Sequence, residues 1–248
     1  MPMKLSIVTV VRNDPQVAAT VASVLAQKSV SVESLVIDGA STDGTLAALA
    51  PFKRRVRLVS APDDGIYHAM NKGLRLAKGA VVGFLNAGDV YASENALAGI
   101  AKAFGAQRDL DAAWGGLEIV GANGAIKRRW PAEAYAPRAF SRGWMPSHPS
   151  FYAKRQRLLS LNGFDTAYRL AADYDLMLRG LELAHWKGRA IEGTLVRMRS
   201  GGASQRSLGA WWAHNREAWT AAQKAGITRA GLLSFVFKKA GRKIFQVV

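Results

Sequence analysis

The chain contains no cysteine. Disulfides, thiolate-bound zinc and cysteine nucleophiles are therefore excluded, and the composition fits a reducing compartment. No run of about 18 consecutive apolar residues occurs, so no segment reads as a bilayer-spanning helix. The apolar stretch Leu5 to Val11 is interrupted by Ser6 and Thr9, and no small-residue cleavage site follows it. It reads as a buried strand and not as a secretory signal. A G-x-G-x-x-G run is missing, which argues against a dinucleotide-dependent oxidoreductase. Acidic residues are scarce in the second half: residues 126–248 hold 7 Asp/Glu against 22 Lys/Arg, whereas residues 1–125 hold 11 against 12. The cationic half is expected to face something anionic.

What is present suffices for a core. The 248 residues are 49% hydrophobic and 9% aromatic, which excludes a disordered chain. Over the first 90 residues, strand and helix signals alternate. Strands are predicted at Ser6–Val11, Leu35–Ile37, Val56–Val59 and Ala80–Leu85. Helices are predicted from Asp14-Pro15 onward, from the Ser41–Thr45 hydroxyl cluster to about Phe52, and from Ile66 to Ala77. Near-continuous apolar strands alternating with helices argue for an α/β fold, its mostly parallel sheet covered on both faces. The polar clusters Arg12-Asn13-Asp14, Asp38 to Asp43, Asp63-Asp64 and Asp89 fall at the carboxyl ends of those strands, where such sheets bind ligands. Further on, a strand is expected within Ala112–Val120, loop over residues 123–147, and helices at Asp173–Leu183 and Leu208–Ala225.

Four ordered segments carry a family resemblance. They are Ser6-Ile7-Val8-Thr9-Val10-Val11-Arg12-Asn13, Val36-Ile37-Asp38-Gly39-Ala40-Ser41-Thr42-Asp43-Gly44-Thr45, Asp63-Asp64-Gly65-Ile66-Tyr67-His68-Ala69-Met70-Asn71-Lys72-Gly73, and Phe84-Leu85-Asn86-Ala87-Gly88-Asp89. Together the sequence resembles a family 2 glycosyltransferase with the GT-A fold, of the kind that builds bacterial capsule, exopolysaccharide or lipopolysaccharide. The resemblance implies transfer of a sugar from a nucleoside-diphosphate donor to a hydroxyl of a glycan or lipid-linked acceptor, with inversion. It also implies Mg²⁺ or Mn²⁺ as cofactor.

Such a donor is a base, a ribose, a diphosphate and a sugar. Asp38 suits the base N–H, Thr9 and Arg12 would flank base or ribose, and Asp64 and Asn71 lie where the donor would be approached. The departing diphosphate needs its charge offset, and Asp89 is the expected metal ligand. Here the metal-binding Asp-x-Asp run is reduced to Asn86-Ala87-Gly88-Asp89, with a single carboxylate, and affinity for metal without donor is expected to be low. Ala172-Asp173-Tyr174-Asp175, with Arg179 following, resembles the family's Glu-Asp-Tyr-Asp stretch with Ala172 in place of Glu. Asp173 matches the catalytic base, and Asp175 would be structural or acceptor-binding. His148, in Ser147-His148-Pro149-Ser150, and Ser204, in Gly201-Gly202-Ala203-Ser204, are weaker candidates for acceptor or phosphate. His68 stands where relatives carry Asp and receives no role.

Each acidic residue also has a plain structural reading. Asp38 and Asp43 suit a turn and a cap, Asp89 a cap near Ser93-Glu94, and Asp173 and Asp175 a helix N-terminus.

The expected organisation is a GT-A domain over residues 1–205, with a donor half at 1–110 and an acceptor half at 111–205, then a basic helical extension at 206–248. Phe235, Phe237, Ile244 and Phe245, interleaved with Lys238, Lys239, Arg242 and Lys243, suggest an anionic membrane surface as partner. The expected location is cytoplasmic and peripheral on the inner face of the plasma membrane. Two rivals stay open: a sugar nucleotidyltransferase, and a basic α/β protein that binds nucleic acid. The first usually has a Gly-rich basic loop after its first strand, and none is seen here; no standard recognition module supports the second. A degenerate, inactive transferase is a third.

Overall fold

A computed structural model describes residues 3–201 and 207–244. Its strands are β1 Lys4–Val11, β2 Ser31–Asp38, β3 Arg57–Ser60, β4 Val81–Asn86, β5 Val90–Tyr91, β6 Ala112–Val120, β7 Ile126–Trp130, β8 Phe151–Lys154 and β9 Gly188–Arg199. Its helices are α1 Val17–Leu25, α2 Thr45–Leu49, α3 Ile66–Leu76, α4 Ala96–Ala106, α5 Arg155–Ser160, α6 Ala172–Leu178, α7 Leu208–Lys224 and α8 Leu232–Ile244.

All nine strands join one sheet in the order β3-β2-β1-β4-β8-β6-β9-β5, with β7 beside β6. β3, β2, β1 and β4 pair in parallel, as do β6 and β9; β8, β5 and β7 run antiparallel to their neighbours. From β1 the chain steps outward through β2 and β3, then returns to place β4 on the other side of β1. The direction of winding therefore reverses at β1, and such a reversal opens a crevice at the strand ends. The residues there are Val11, Asp38 and Asn86, the last of β1, β2 and β4.

The strands are apolar on both faces because both are covered. Val8, Val10, Leu35, Ile37 and Phe84 face α3, α6 and α7 in one core, which also holds Trp114, Trp144 and Trp186. Leu5, Ile7 and Leu85 pack against α4 residues Leu97, Ile100 and Phe104. A smaller cluster unites Val11, Val36, Val17, Val21 and Leu49 under α1 and α2. The C-terminal helices join the first core through Ala218, Ala221, Ala222 and Phe235.

Most boundaries match the sequence signals within a few residues. Asp14-Pro15 forms a turn, in which the Asp14 carboxylate accepts the Gln16 N–H at 3.0 Å, and the helix proper begins at Val17. The helix expected over 173–183 is α only as far as Leu178 and continues as a π-turn through Leu183. The region 123–147, expected as loop, contains β7. Its residues Ile126-Lys127-Arg128-Arg129-Trp130 alternate half-buried and exposed, so Lys and Arg mask a two-residue period. β9 is hidden similarly by Arg189, Glu192, Gly193, Arg197 and Arg199, and its register against β6 shifts around Gly116.

Candidate functional site

Two glycines set α3 against the crevice. Gly65 opens the helix at φ +124°, a conformation costly for any L side chain, and its N–H bonds to Asp63 Oδ1 at 3.0 Å. Gly73 lets α3 touch the sheet, since a Cβ there would lie 2.3 Å from Val8 Cγ1. Tyr67, on the first turn of α3, is packed in the core cluster that holds Val8, Val10 and Phe84.

The loops after β1 and β2 are stitched together. Asn13, at φ 52°, donates its N–H to Ser41 Oγ at 2.8 Å and accepts the Thr42 N–H on Oδ1 at 2.9 Å. The Asp14 N–H bonds to Thr45 Oγ1 at 2.9 Å. Asp38 is fully buried; its carboxylate accepts the Ser41 N–H at 3.1 Å, the Ser41 hydroxyl, and the Ser60 hydroxyl at 2.6 Å. It thus holds the turn that follows β2 and ties it to β3. Arg12 is exposed, and a Cβ on Gly39 would meet Asp63 Oδ2 at 2.8 Å and Arg12 Cδ at 3.4 Å. Gly39, Arg12 and Asp63 therefore share one wall. Thr9 is fully buried on the face covered by α1, and its hydroxyl has no hydrogen-bond partner among the described residues.

Asp89 is linked to the loop after β1 through Arg199. It is 5% exposed and accepts the Arg199 N–H at 3.3 Å, and burial raises its pKa to about 7. The Arg199 guanidinium spans Asp14 Oδ2, at 2.6 Å, and Gln16 Oε1, and packs on Gly88. Among the described residues, no three His, Cys, Asp or Glu side chains converge as a metal-ligand set. The local donors therefore fit a divalent cation only as one protein ligand among oxygens brought by something else.

Tyr67 Oη donates to Asp173 Oδ1 at 3.2 Å. Burial, with Asp173 beside it, raises the Tyr67 pKa well above the ordinary value, so the phenol keeps its proton. In the first turn of α6, Asp173 alone is not buried. Tyr67 stacks on Phe164 at 5.4 Å, Phe164 meets Phe84 edge-on at 4.9 Å, and the His148 ring stacks on Phe84 at 6.1 Å. Burial lowers the His148 pKa and keeps the ring neutral. His148 Nε2 and Asn86 Oδ1 are buried without hydrogen-bond partners among the described residues. Asn86, two residues beyond Phe84, is on the same face of β4.

Asn71 and Asp175 act on the loop that carries Phe164. The Asn71 amide donates to Phe164 O at 2.8 Å and accepts the Phe164 N–H at 2.9 Å. Asp175 pairs with Arg179 at 2.7 Å, and that guanidinium also holds Leu161 O and Gly163 O. Asp64 is exposed and, with Tyr67, His68, Thr166, Tyr168 and Arg169, lines a hollow of ≈ 350 Å³ beside the Tyr67–Asp173 pair. A larger hollow of ≈ 600 Å³ lies behind the same loop and contains Asp175 and Arg179 but neither Asp173 nor the strand ends. Ser204 lies outside the described residues. Sequence reasoning assigned no role to Tyr67, Phe164 or Arg199. Tyr67 lies within the Asp63–Gly73 motif, whereas the long-range partners of Phe164 and Arg199 leave no local pattern.

The sequence model described as Glycosyl transferase family 2 matches residues 6–171. The chain belongs to that family. An uncharacterised glycosyltransferase of Mycobacterium tuberculosis is 30% identical over 182 residues, covering 71% of this chain and 68% of that protein. Among solved structures, a mannosyltransferase from Pyrobaculum calidifontis in complex with GDP-Man and Mn²⁺ superposes with a TM-score of 0.66 at 18% identity, covering 98% of this chain and 70% of the other. A glucosyl-3-phosphoglycerate synthase from M. tuberculosis, in complex with Mn²⁺, UDP and phosphoglyceric acid, gives 0.63 at 15% identity, covering 92% and 81%. The fold is therefore GT-A, and this family 2 chain is a glycosyltransferase. The matched segment ends at Ala171, two residues before Asp173. No helix among the described residues is long and apolar enough to cross a membrane.

Proposed function

We propose that this family 2 glycosyltransferase moves a sugar from a nucleoside diphosphate to an acceptor hydroxyl in one inverting, in-line displacement. The observation that carries the reading is the Tyr67 hydroxyl bonded to Asp173, the one residue in the first turn of α6 that is not buried. Asp173 takes the acceptor proton while the acceptor oxygen bonds to the anomeric carbon and the bond from that carbon to the diphosphate breaks. Tyr67, which keeps its proton, donates it in a hydrogen bond to one carboxylate oxygen and leaves the other for the incoming hydroxyl. The buried rings of Phe84 and Phe164, with His148 stacked on Phe84, back Tyr67 and exclude water from behind the Tyr67–Asp173 pair. Arg12, Asp63 and Asp64 border the nucleotide, Asp38 shapes the turn beneath it, and Asn71 fixes Phe164.

Asp89 would be the protein ligand of a divalent cation whose other oxygens come from the donor and water. A cation so bound offsets the charge of the leaving diphosphate. The complexes of the solved neighbours with GDP-Man or UDP and Mn²⁺ support both donor class and metal. The acceptor is a glycan or lipid-linked hydroxyl. Residues 206–248 form an extension that meets an anionic membrane: Leu233 and Phe237, one turn apart, are 62% and 74% exposed beside exposed Lys238, while Phe235 and Lys239 turn inward.

Thermal unfolding against a panel of nucleoside diphosphates, with and without Mn²⁺, tests the donor site. One of them with Mn²⁺ should raise Tm, since a ligand at 100 times its Kd stabilises by about 2.7 kcal/mol. An unchanged Tm across the panel refutes the reading.

A further inference from the structure

The backbone leading into the helix that bears Asp173 is held from outside. Glu217, on α7, accepts the N–H groups of Arg169 at 3.2 Å, Leu170 at 2.8 Å and Ala171 at 2.9 Å. His214, one turn earlier on α7, has Nδ1 2.9 Å from Leu170 O, and its Nε2 lies 3.1 Å from Lys239 Nζ of α8. Lys239 is a donor, so Nε2 accepts and Nδ1–H donates to the Leu170 carbonyl. The same ammonium lies 5.5 Å from the centre of the Tyr174 ring. Both polarities of the 169–171 backbone are thus fixed by side chains of the last two helices, which lie beyond the residues matched to the family.

We infer that Glu217 is a positioning residue for the transfer reaction, holding Asp173 at its working distance through the 169–171 backbone. This rests on Asp173 being the base. Three backbone donors on one carboxylate form a charge-assisted set about twice as strong per bond as a neutral one. In the loop 161–171 between α5 and α6, Arg179 and Asn71 hold the backbone at residues 161–164, whereas the N–H groups of residues 169–171 go to Glu217. Asp173 lies two residues past Ala171, and a displacement of about 1 Å at a reacting group can cost on the order of 10²-fold in rate. The extension is then part of the catalytic apparatus, whatever else its outer face contacts.

The test compares Glu217→Gln, Asp173→Asn and the neighbouring surface change Arg216→Gln in the full-length enzyme. Glu217→Gln keeps the shape but turns an amide N–H toward the backbone donors. Its kcat should fall roughly 10- to 100-fold, with nucleoside-diphosphate Kd and donor KM within about twofold of wild type. A merely structural role would reduce the folded fraction and leave kcat per folded molecule unchanged, which would overturn the inference. Wild-type kcat in Glu217→Gln, with Asp173→Asn inactive, refutes the positioning role alone. Full turnover in Asp173→Asn refutes the base assignment instead. Should Glu217→Gln fail to fold, amide exchange in the wild-type chain decides: the Leu170 and Ala171 amides are expected to be as protected as those of α7, and free exchange there overturns the inference.

Discussion

Asp173→Asn is expected to lower the transfer rate by 10²- to 10⁴-fold, the usual contribution of a positioned general base. In barrier height that is about 3–5 kcal/mol. Asn keeps an oxygen able to accept the Tyr67 hydroxyl, so the bond at 3.2 Å has a replacement and stability should change by less than about 1 kcal/mol. Donor binding should be unaffected. Initial rates, nucleotide titration and urea unfolding on one preparation separate these effects. Near-wild-type turnover would remove Asp173 as the base, and a large loss of stability would make it a structural carboxylate.

Asp89→Asn should act on the other half of the reaction. Asp89 is the one carboxylate at the end of the fourth strand, and a neutral amide is a poor ligand for a hard cation. Mn²⁺ should tighten nucleoside-diphosphate binding to the wild-type chain and do so on the order of 10²-fold less in the variant, with a comparable loss of turnover. With a single protein carboxylate present, Mn²⁺ alone should bind weakly even to wild type. Calorimetric titration of Mn²⁺, of nucleotide, and of nucleotide with Mn²⁺ checks each statement. Equal stimulation by Mn²⁺ in the two proteins would disprove the assignment. The Arg199 N–H still finds an oxygen at the variant side chain, so the β9 end should keep its place.

Much of the donor half was legible in the sequence because its elements are local. β1, apolar from Leu5 to Val11 except at Ser6 and Thr9, and the Leu35–Ile37 run of β2 are buried on both faces, and the turn signals at Asp14-Pro15, Asp43 and Gly65 act on residues two positions away in the chain. The second half was less legible for an identifiable reason. β7 and β9 mix arginine into half-exposed strands, so their hydrophobic period is faint, and the register shift of β9 against β6 breaks what period remains.

The sequence by itself determined the α/β class, the family and the acidic residues at the strand ends, because each is written in contiguous segments whose chemistry needs few distant partners. Only the tertiary structure decided which of the candidate polar side chains have their hydrogen bonds used up by the fold. Asp38 is consumed by Ser41 and Ser60, Asp175 by Arg179, and Asn71 by the Phe164 backbone, while Asp173 stays partly exposed under Tyr67. The same is true of Glu217, which reaches back to residues 169–171, and of Arg199, which reaches Asp14. A side chain's role depends on which hydrogen bonds remain for a ligand after the fold has used its own, and that remainder exists only once distant segments have packed together.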